Sequence, residues 1–424
     1  VAIVPQDLAE YLKALAPFGR PVTEPTPEEL VPKAHIFDLA PDQPDFGVVE
    51  RDDYNPVRVD RGDLVRFRAF LDGVQRTVQF KEVPLRNGAV VPLHVAQVGA
   101  AVLFRDDSGR LFSRPGFMQL RLLLLFPLEG INDAGGASEG TLPTPDQLLS
   151  DTSNDVFDLN VGRTIFCDTT FAGIDATREA KTGSALYGEK LYDSGAVRSR
   201  AQGRVAVMRQ ILELLVLAQY RSVFPGDWIL FDGPLFFLDK WRHKWSSKNS
   251  ISEENLLSRA VGVIKTLRKR PRDPSTVLRL RLDERSPVTF LEWEVDIKGS
   301  GREPDEAGNY SKPHLCWFTR LRPPRGGLLP PTPLGLVRID LHYGTLGVER
   351  ADSRDLQPSG FAPHVPLIDK ITRGVWRERW PVVTSARGTR PHTEAYPVDQ
   401  VEKVLESQLL TRRALAYLSR ALLK

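Results

Sequence analysis

The spacing of apolar residues changes several times along the chain, and each change predicts an element. Residues 64–71 (LVRFRAFL) alternate hydrophobic and charged, the two-residue period of a strand with unlike faces. Asp72-Gly73 follows, then another extended run at 77–80. Residues 91–104 (VPLHVAQVGAAVLF) are apolar on both alternations, which predicts a strand inside a sheet. The period then lengthens. Between 201 and 220, Val205, Met208, Ile211, Leu212 and Leu215 recur at helical spacing, and Leu214, Val216 and Leu217 make the other faces apolar. This helix should be buried almost all round. Pro225-Gly226 ends it, and 227–235 (DWILFDGPL) reads as a central strand.

Ser252, followed by Glu253, Glu254, Leu256 and Leu257, has the signature of a helix N-terminus, and Pro271 stops that helix after Arg270. Strands are expected at 276–282, 288–295, 313–321 and 336–343, with turns at 299–308 and 323–333, and a final helix over 398–423. Residues 1–60 combine a short helix at 6–15 with Pro-rich connections and read as an N-terminal arm. Periodicity is weak over about 105–200, which reads as a large insertion. The organisation is therefore an arm and one α/β domain over 61–424, a mixed sheet with flanking helices.

Charge changes the picture only locally. The 57 Lys and Arg residues nearly balance 54 Asp and Glu, leaving +3. Residues 252–272, however, carry Arg259, Lys265, Arg268, Lys269, Arg270 and Arg272, a surface suited to a phosphate backbone. Trp241-Arg242-His243-Lys244-Trp245 and Trp376-Arg377-Glu378-Arg379-Trp380 interleave aromatic and cationic residues as single-strand binding surfaces do; buried tryptophans with solvated neighbours are the plainer reading. Two cysteines, Cys167 and Cys316, exclude a disulfide framework and a four-cysteine zinc site, and fit a reducing interior. The longest apolar run, 122–128, is too short to span a bilayer, and no signal-peptide pattern opens the chain. A soluble, cytoplasmic protein without membrane contact is expected.

Several chemistries drop out. No phosphate loop of the Gly-x-x-x-x-Gly-Lys-Ser/Thr type is present, so the chain carries no such ATP site. Gly136-Ala137-Ser138-Glu139-Gly140 has the letters of a nucleophile elbow but not its strand-turn-helix setting. Seven scattered histidines show no zinc-ligand spacing.

Two strands end alike, in Phe70-Leu71-Asp72-Gly73 and Leu230-Phe231-Asp232-Gly233. An Asp just past apolar strand residues sits at the sheet's edge, where α/β folds bind ligands, and the Gly lets the backbone come close. The same dipeptide is also an ordinary hairpin turn. Glu213 weighs against turns alone. It lies within Ile211-Leu212-Glu213-Leu214-Leu215-Val216-Leu217, where a carboxylate is costly without a compensating partner. Arg209, one turn earlier, is one candidate; a metal shared with the two aspartates is the other. Mg2+ and Mn2+ take hard oxygen ligands, and two such ions can clamp both oxygens of a phosphodiester displacement.

In order and spacing these residues resemble the NurA family of repair nucleases: a strand-borne Asp-Gly, a helical Glu, then a strand ending in Asp-Gly-Pro-Leu. Here they are Leu71-Asp72-Gly73-Val74-Gln75-Arg76, Glu213, and Ile229-Leu230-Phe231-Asp232-Gly233-Pro234-Leu235. Val261-Gly262-Val263-Ile264-Lys265 resembles the family's Gly-Val-x-Lys stretch on the next helix, and Ala395-Tyr396-Pro397 its Tyr-Pro segment; together the motifs span 64–424. Val74 stands where the family usually has serine, and the stretch from Asp72 to Glu213 is longer than the family's.

The resemblance implies an RNase H-like core and a Mn2+- or Mg2+-dependent DNA nuclease. Asp72, Glu213 and Asp232 would hold the metal, with Asp168 of Thr164-Ile165-Phe166-Cys167-Asp168 as rival to Asp72. Register places Glu402 as fourth ligand, with Asp399 and His392 competing. Lys265 and Arg76 would contact phosphate, and Arg268 would extend the DNA surface. The family also implies a homodimer that partners the hexameric HerA translocase in resecting DNA ends at double-strand breaks. Two other readings stay open: a catalytically silent nucleic-acid-binding or scaffold module, and an RNA nuclease of similar architecture.

Overall fold

The computed structural model describes residues 10, 12–21, 49–51, 53–140, 142, 164–171, 185–235, 256–265, 271–291, 314–323, 333–348, 356–381 and 395–415. Twelve strands among them join one mixed sheet. They are β1 (Arg20–Pro21), β2 (Val57–Arg58), β3 (Ala69–Pro84), β4 (Val90–Arg105), β5 (Leu111–Phe126) and β6 (Thr164–Asp168). Then come β7 (Ile229–Asp232), β8 (Ala260–Ile264), β9 (Glu284–Arg285), β10 (Thr289–Leu291), β11 (His314–Arg320) and β12 (Leu336–Leu341). The main path runs β2-β9-β11-β12-β8-β7-β3-β4-β5-β6, with β1 on β3 and β10 on β11. β7 is parallel to both β3 and β8, and β6 is parallel to β5; the other pairings are antiparallel.

Helices cover both faces. One face packs on α1 (Ser194–Val223), whose Ile211, Leu215 and Ala218 meet Ala69, Leu71, Ile229 and Phe231. This helix is longer than its apolar pattern, because Asp193 caps it by accepting from the Ala196 N–H. The opposite face packs on α3 (Val365–Arg377) and α4 (Tyr396–Gln408), numbered after the short α2 (Pro274–Arg279). There Ile368, Ile371, Val398, Val401 and Leu405 meet Phe70, Leu230 and Val261. The sheet is thus buried on both sides through its centre. Among the described residues no helix is long and apolar enough to cross a membrane.

Several expectations are corrected. Asp72-Gly73 is neither a strand end nor a turn: β3 runs straight through it for 16 residues, and the chain reverses at Gly88 (φ +89°). Leu111–Phe126, inside the expected insertion, is a full strand of the sheet, and Thr164–Asp168 lies beside it. Its alternation was obscured because its first half is largely exposed and its second half buried on both faces. Ala260–Ile264 is a strand rather than part of a helix, since β-branched residues around Gly262 pair on both edges, with β7 and β12. Conversely, part of the strand expected at 276–282 is helical: Asp273 accepts from the Ser275 and Thr276 N–H groups, with Pro274 at the first helical position. The final helix breaks after Gln408 and helix resumes over 412–415, while residues 416–423 lie outside the described residues. The Ser252 helix start lies outside the described residues.

The expected arm also packs inward. Leu12 and Leu15 are buried, and the Lys81 ammonium donates to the carbonyls of Leu15 and Ala16. Arg285, fully buried, grips both oxygens of Glu50 (2.6 and 2.8 Å) and reaches Asp369 at 2.8 Å. Breaking a buried pair from one side strands a charge. Arg285→Ala is therefore expected to cost about 3–5 kcal/mol in urea unfolding. Arg58→Ala, which removes only exposed pairs with Asp60 and Asp283, should change it by about 0.5 kcal/mol or less.

Candidate metal centre

The site forms where β7 stops. Leu71 pairs with Phe231 in the parallel ladder, so Asp72 and Asp232 are level neighbours on adjacent strands, about 4.8 Å apart along the backbone. Their side chains share the face of Phe70 and Leu230, the α4 side. Beyond Leu71, β3 has lost its parallel partner, which leaves a gap in the sheet. Gly233 (φ +131°) turns the chain away there while its N–H bonds Val263 O at 3.0 Å. Gly262 permits that turn: a Cβ on it would sit 2.5 Å from Gly233 O.

Glu213 comes from the other layer. Its carboxylate lies against the spot on β3 where Gly73 has no side chain; a Cβ there would lie 2.2 Å from Oε1. Arg209, at i−4, pairs with it from Nη1 and also reaches Gly73 O at 3.5 Å. Of the two explanations offered for a carboxylate on this helix, the arginine partner is thus realised. On the α4 side, Lys265, just past β8, places Nζ 2.6 Å from Asp232 Oδ2. Glu402, half-buried on α4, adds its charge to the field at Asp72.

Protonation follows from this crowding. Burial raises the Asp72 carboxyl well above the usual carboxylate range; Asp232, Glu213 and Glu402 add to the rise, and Lys265 opposes it. Burial pushes Glu213 up to about 7, with Arg209 pulling down and Asp232 pushing up. Glu213 in turn raises the Arg209 guanidinium above its ordinary value, helped by Asp72 and Asp232. When ionised, the four carboxylates bring four negative charges, and Arg209 and Lys265 bring two positive ones. All donors of the cluster are hard oxygens, which suits Mn2+ or Mg2+. Yet among the described residues no three His, Cys, Asp or Glu side chains form a ready-made ligand set. Arg209 and Lys265 hold two of the carboxylates. Neither a protein-family model nor a curated protein matches the chain.

The other candidates separate cleanly. Asp168 lies at the end of β6, three strand spacings from β3, about 14 Å. Its oxygens accept from the N–H groups of Thr170 (2.8 Å) and Glu129 (3.1 Å), so it organises a turn. Asp399 faces Lys403 at 2.7 Å and accepts from Gln400. Arg76 donates to Leu409 O and Leu410 O at 3.1 and 2.8 Å, satisfying carbonyls at the end of α4. In the second aromatic-cationic repeat, Trp376 donates to Thr319 and Glu378 is clamped by Arg105, so both are structural. Arg268, His392 and the 241–245 repeat lie outside the described residues. Arg209, valued in the sequence only as a partner for Glu213, belongs to the site; its i,i+4 spacing was the available signal.

Gly73→Ala should force Glu213 from its seat and cost about 1–3 kcal/mol in denaturant unfolding. In a Glu213→Ala background the same change should cost less by about 1 kcal/mol or more, a coupling that a double-mutant cycle reads directly.

Proposed function

We propose that this chain is a divalent-metal-dependent DNA nuclease of the NurA type, with Mn2+ or Mg2+ held by Asp72, Glu213, Asp232 and Glu402. The observation that carries the reading is that these carboxylates, from β3, α1, β7 and α4, lie near enough around the end of β7 to act on one another's protonation. Acidic groups from four distant segments meeting in a buried place oppose folding, and a bound cation offsets that cost. The mixed sheet, with parallel strands at its centre and helices on both faces, supports an RNase H-like core.

Bound there, the metal would supply Lewis-acid polarisation of the phosphodiester and activation of water. The protein's own residues perform the rest. Lys265, beside Asp232, is placed to meet a phosphate oxygen, and Glu213 keeps its carboxylate at the gap through Arg209. Gly73 leaves room for the Glu213 carboxylate, and Gly233 turns the chain at the end of β7. A cytoplasmic homodimer working with a hexameric HerA-type translocase in end resection completes the proposal. The missing phosphate loop agrees with a motor on a separate chain.

One observation favours a second reading. Glu213 and Asp232 already have cationic partners and no ready-made ligand set is present, as in a catalytically silent nucleic-acid-binding module. Hydrolysis of labelled single-stranded DNA and RNA with Mn2+ separates these possibilities. We expect DNA cleavage that EDTA abolishes and that falls by about two orders of magnitude or more in Asp232→Asn or Glu213→Gln. Full activity in both variants would sink the proposed site. Salt-sensitive DNA binding without metal-dependent cleavage would establish the silent module, and preferential RNA cleavage an RNA nuclease.

A further inference from the structure

A groove of opposite character lies at the other end of β7 from the acidic cluster. Residues 64–68, just before β3, run between α3 and the segment that enters β7. The Val65 N–H donates to Lys370 O at 3.0 Å, and the Arg68 N–H donates to Trp228 O at 3.3 Å. Arg373 holds the approach to this segment by donating to Asp60 O and Asp63 O at 2.8 and 2.6 Å. Between these walls is an open groove of about 450 Å³ whose lining includes Arg66, Arg68, Lys370, Asp227, Trp228 and Leu367. That volume falls within the range of small-molecule sites. Trp228 precedes Asp232 by about 13 Å of strand, with buried Leu230 between them, so the groove is separate from the acidic cluster.

Its cations are lightly held. Arg66 is exposed, and its side chain makes no hydrogen bond or ion pair among the described residues. Arg68 and Lys370 pair with Asp107 (3.2 Å) and Asp63 (3.5 Å), acids that are themselves 93% and 86% exposed. Such surface pairs contribute little and give way to a better anion. A further cation stands at the wall in a conformation that side chains rarely adopt. Arg259 (φ +55°) is the one non-glycine in the left-handed region among the described residues, and its Nη1 donates to Gly226 O, which belongs to the lining. Half-buried Trp228 brings an aromatic ring to the same lining.

We propose that this groove binds a nucleotide unit, with its phosphate on Arg66, Arg68 and Lys370 and its base against Trp228. The unit is a free nucleotide or part of a single strand, which present the same chemistry. Arginines offer phosphate oxygens a planar fork, and an aromatic ring accepts the face of any base. Asp227 adds an acceptor for a base amino group, which bare phosphate lacks. The inference goes beyond the metal-dependent nuclease reading and does not rest on it.

The test is isothermal titration calorimetry on the full chain, in EDTA, with inorganic phosphate, dAMP and a short oligodeoxyadenylate as probes. The variants are Arg66→Ala, Arg68→Ala and Trp228→Leu. The control is Arg412→Ala, which loses the same charge beyond the far end of α4, near the Leu410 carbonyl that Arg76 holds. Wild type is expected to bind dAMP more tightly than phosphate. Arg66→Ala and Arg68→Ala should each weaken dAMP by about fivefold or more, and Arg412→Ala should leave it unchanged. Trp228→Leu should weaken dAMP by about fivefold or more while leaving phosphate unaffected. Oligonucleotide binding with the same losses supports a strand as the source, and binding of dAMP alone supports a free nucleotide. Should Trp228→Leu fail to fold, the exposed Arg66, whose variant is expected to keep the wild-type Tm, decides the question. The proposal is overturned if neither dAMP nor the oligonucleotide binds, or if the arginine variants lose no more than Arg412→Ala. Unchanged dAMP affinity in folded Trp228→Leu overturns it too. Asp232→Asn should leave dAMP binding unchanged whatever it does to DNA cleavage, so the two readings fail separately.

Discussion

The parallel pairing of β7 between β3 and β8 is the contact on which the site depends. β7 is only four residues long, yet it sets Asp232 level with Asp72 and sets Lys265 within reach of Asp232. Its end also opens the gap that admits Glu213 from the opposite layer. Gly233 and Gly262 allow β7 to stop there, since a side chain at Gly262 would collide with the turning backbone. A strand continuing through 235 would have closed the gap and separated the two helical layers.

Around this gap the protein manages charge in two ways. Away from the site, buried carboxylates are gripped by arginines through two or more nitrogens, as at Glu50, Glu378 and Asp340. In the site, Arg209 holds Glu213 through Nη1, and the carboxyls of Asp72 and Glu213 are pushed upward by burial and by neighbouring carboxylates.

The last helix completes the cluster by an indirect route. Arg76, well past Asp72 on the same strand, holds the carbonyls that end α4. Leu405 and Val401 seat that helix on the sheet, and Glu402 between them is brought near Asp72. Arg76 therefore helps seat the helix that carries one of the acidic groups.

By itself the sequence determined the buried helix, from apolar residues on every face of 211–218, and the strand that ends at Asp232, from Ile229-Leu230-Phe231 before Asp-Gly-Pro. It also singled out Glu213, because a carboxylate in such a helix calls for a partner whatever the fold. These are local facts of period and polarity. Tertiary structure decided the rest. Whether Asp72-Gly73 turned or continued depended on β4, which pairs along the whole of β3 and holds it extended. Whether 260–264 became helix or strand depended on two neighbours remote in sequence, β7 and β12. That Asp72 lies beside Asp232 while Asp168 organises a turn, and that Glu402 acts on Asp72 while Asp399 pairs with Lys403, rested on sheet order and helix seating. Hydrogen bonding across a sheet and packing between layers join residues far apart in the chain, so no local pattern carries that information.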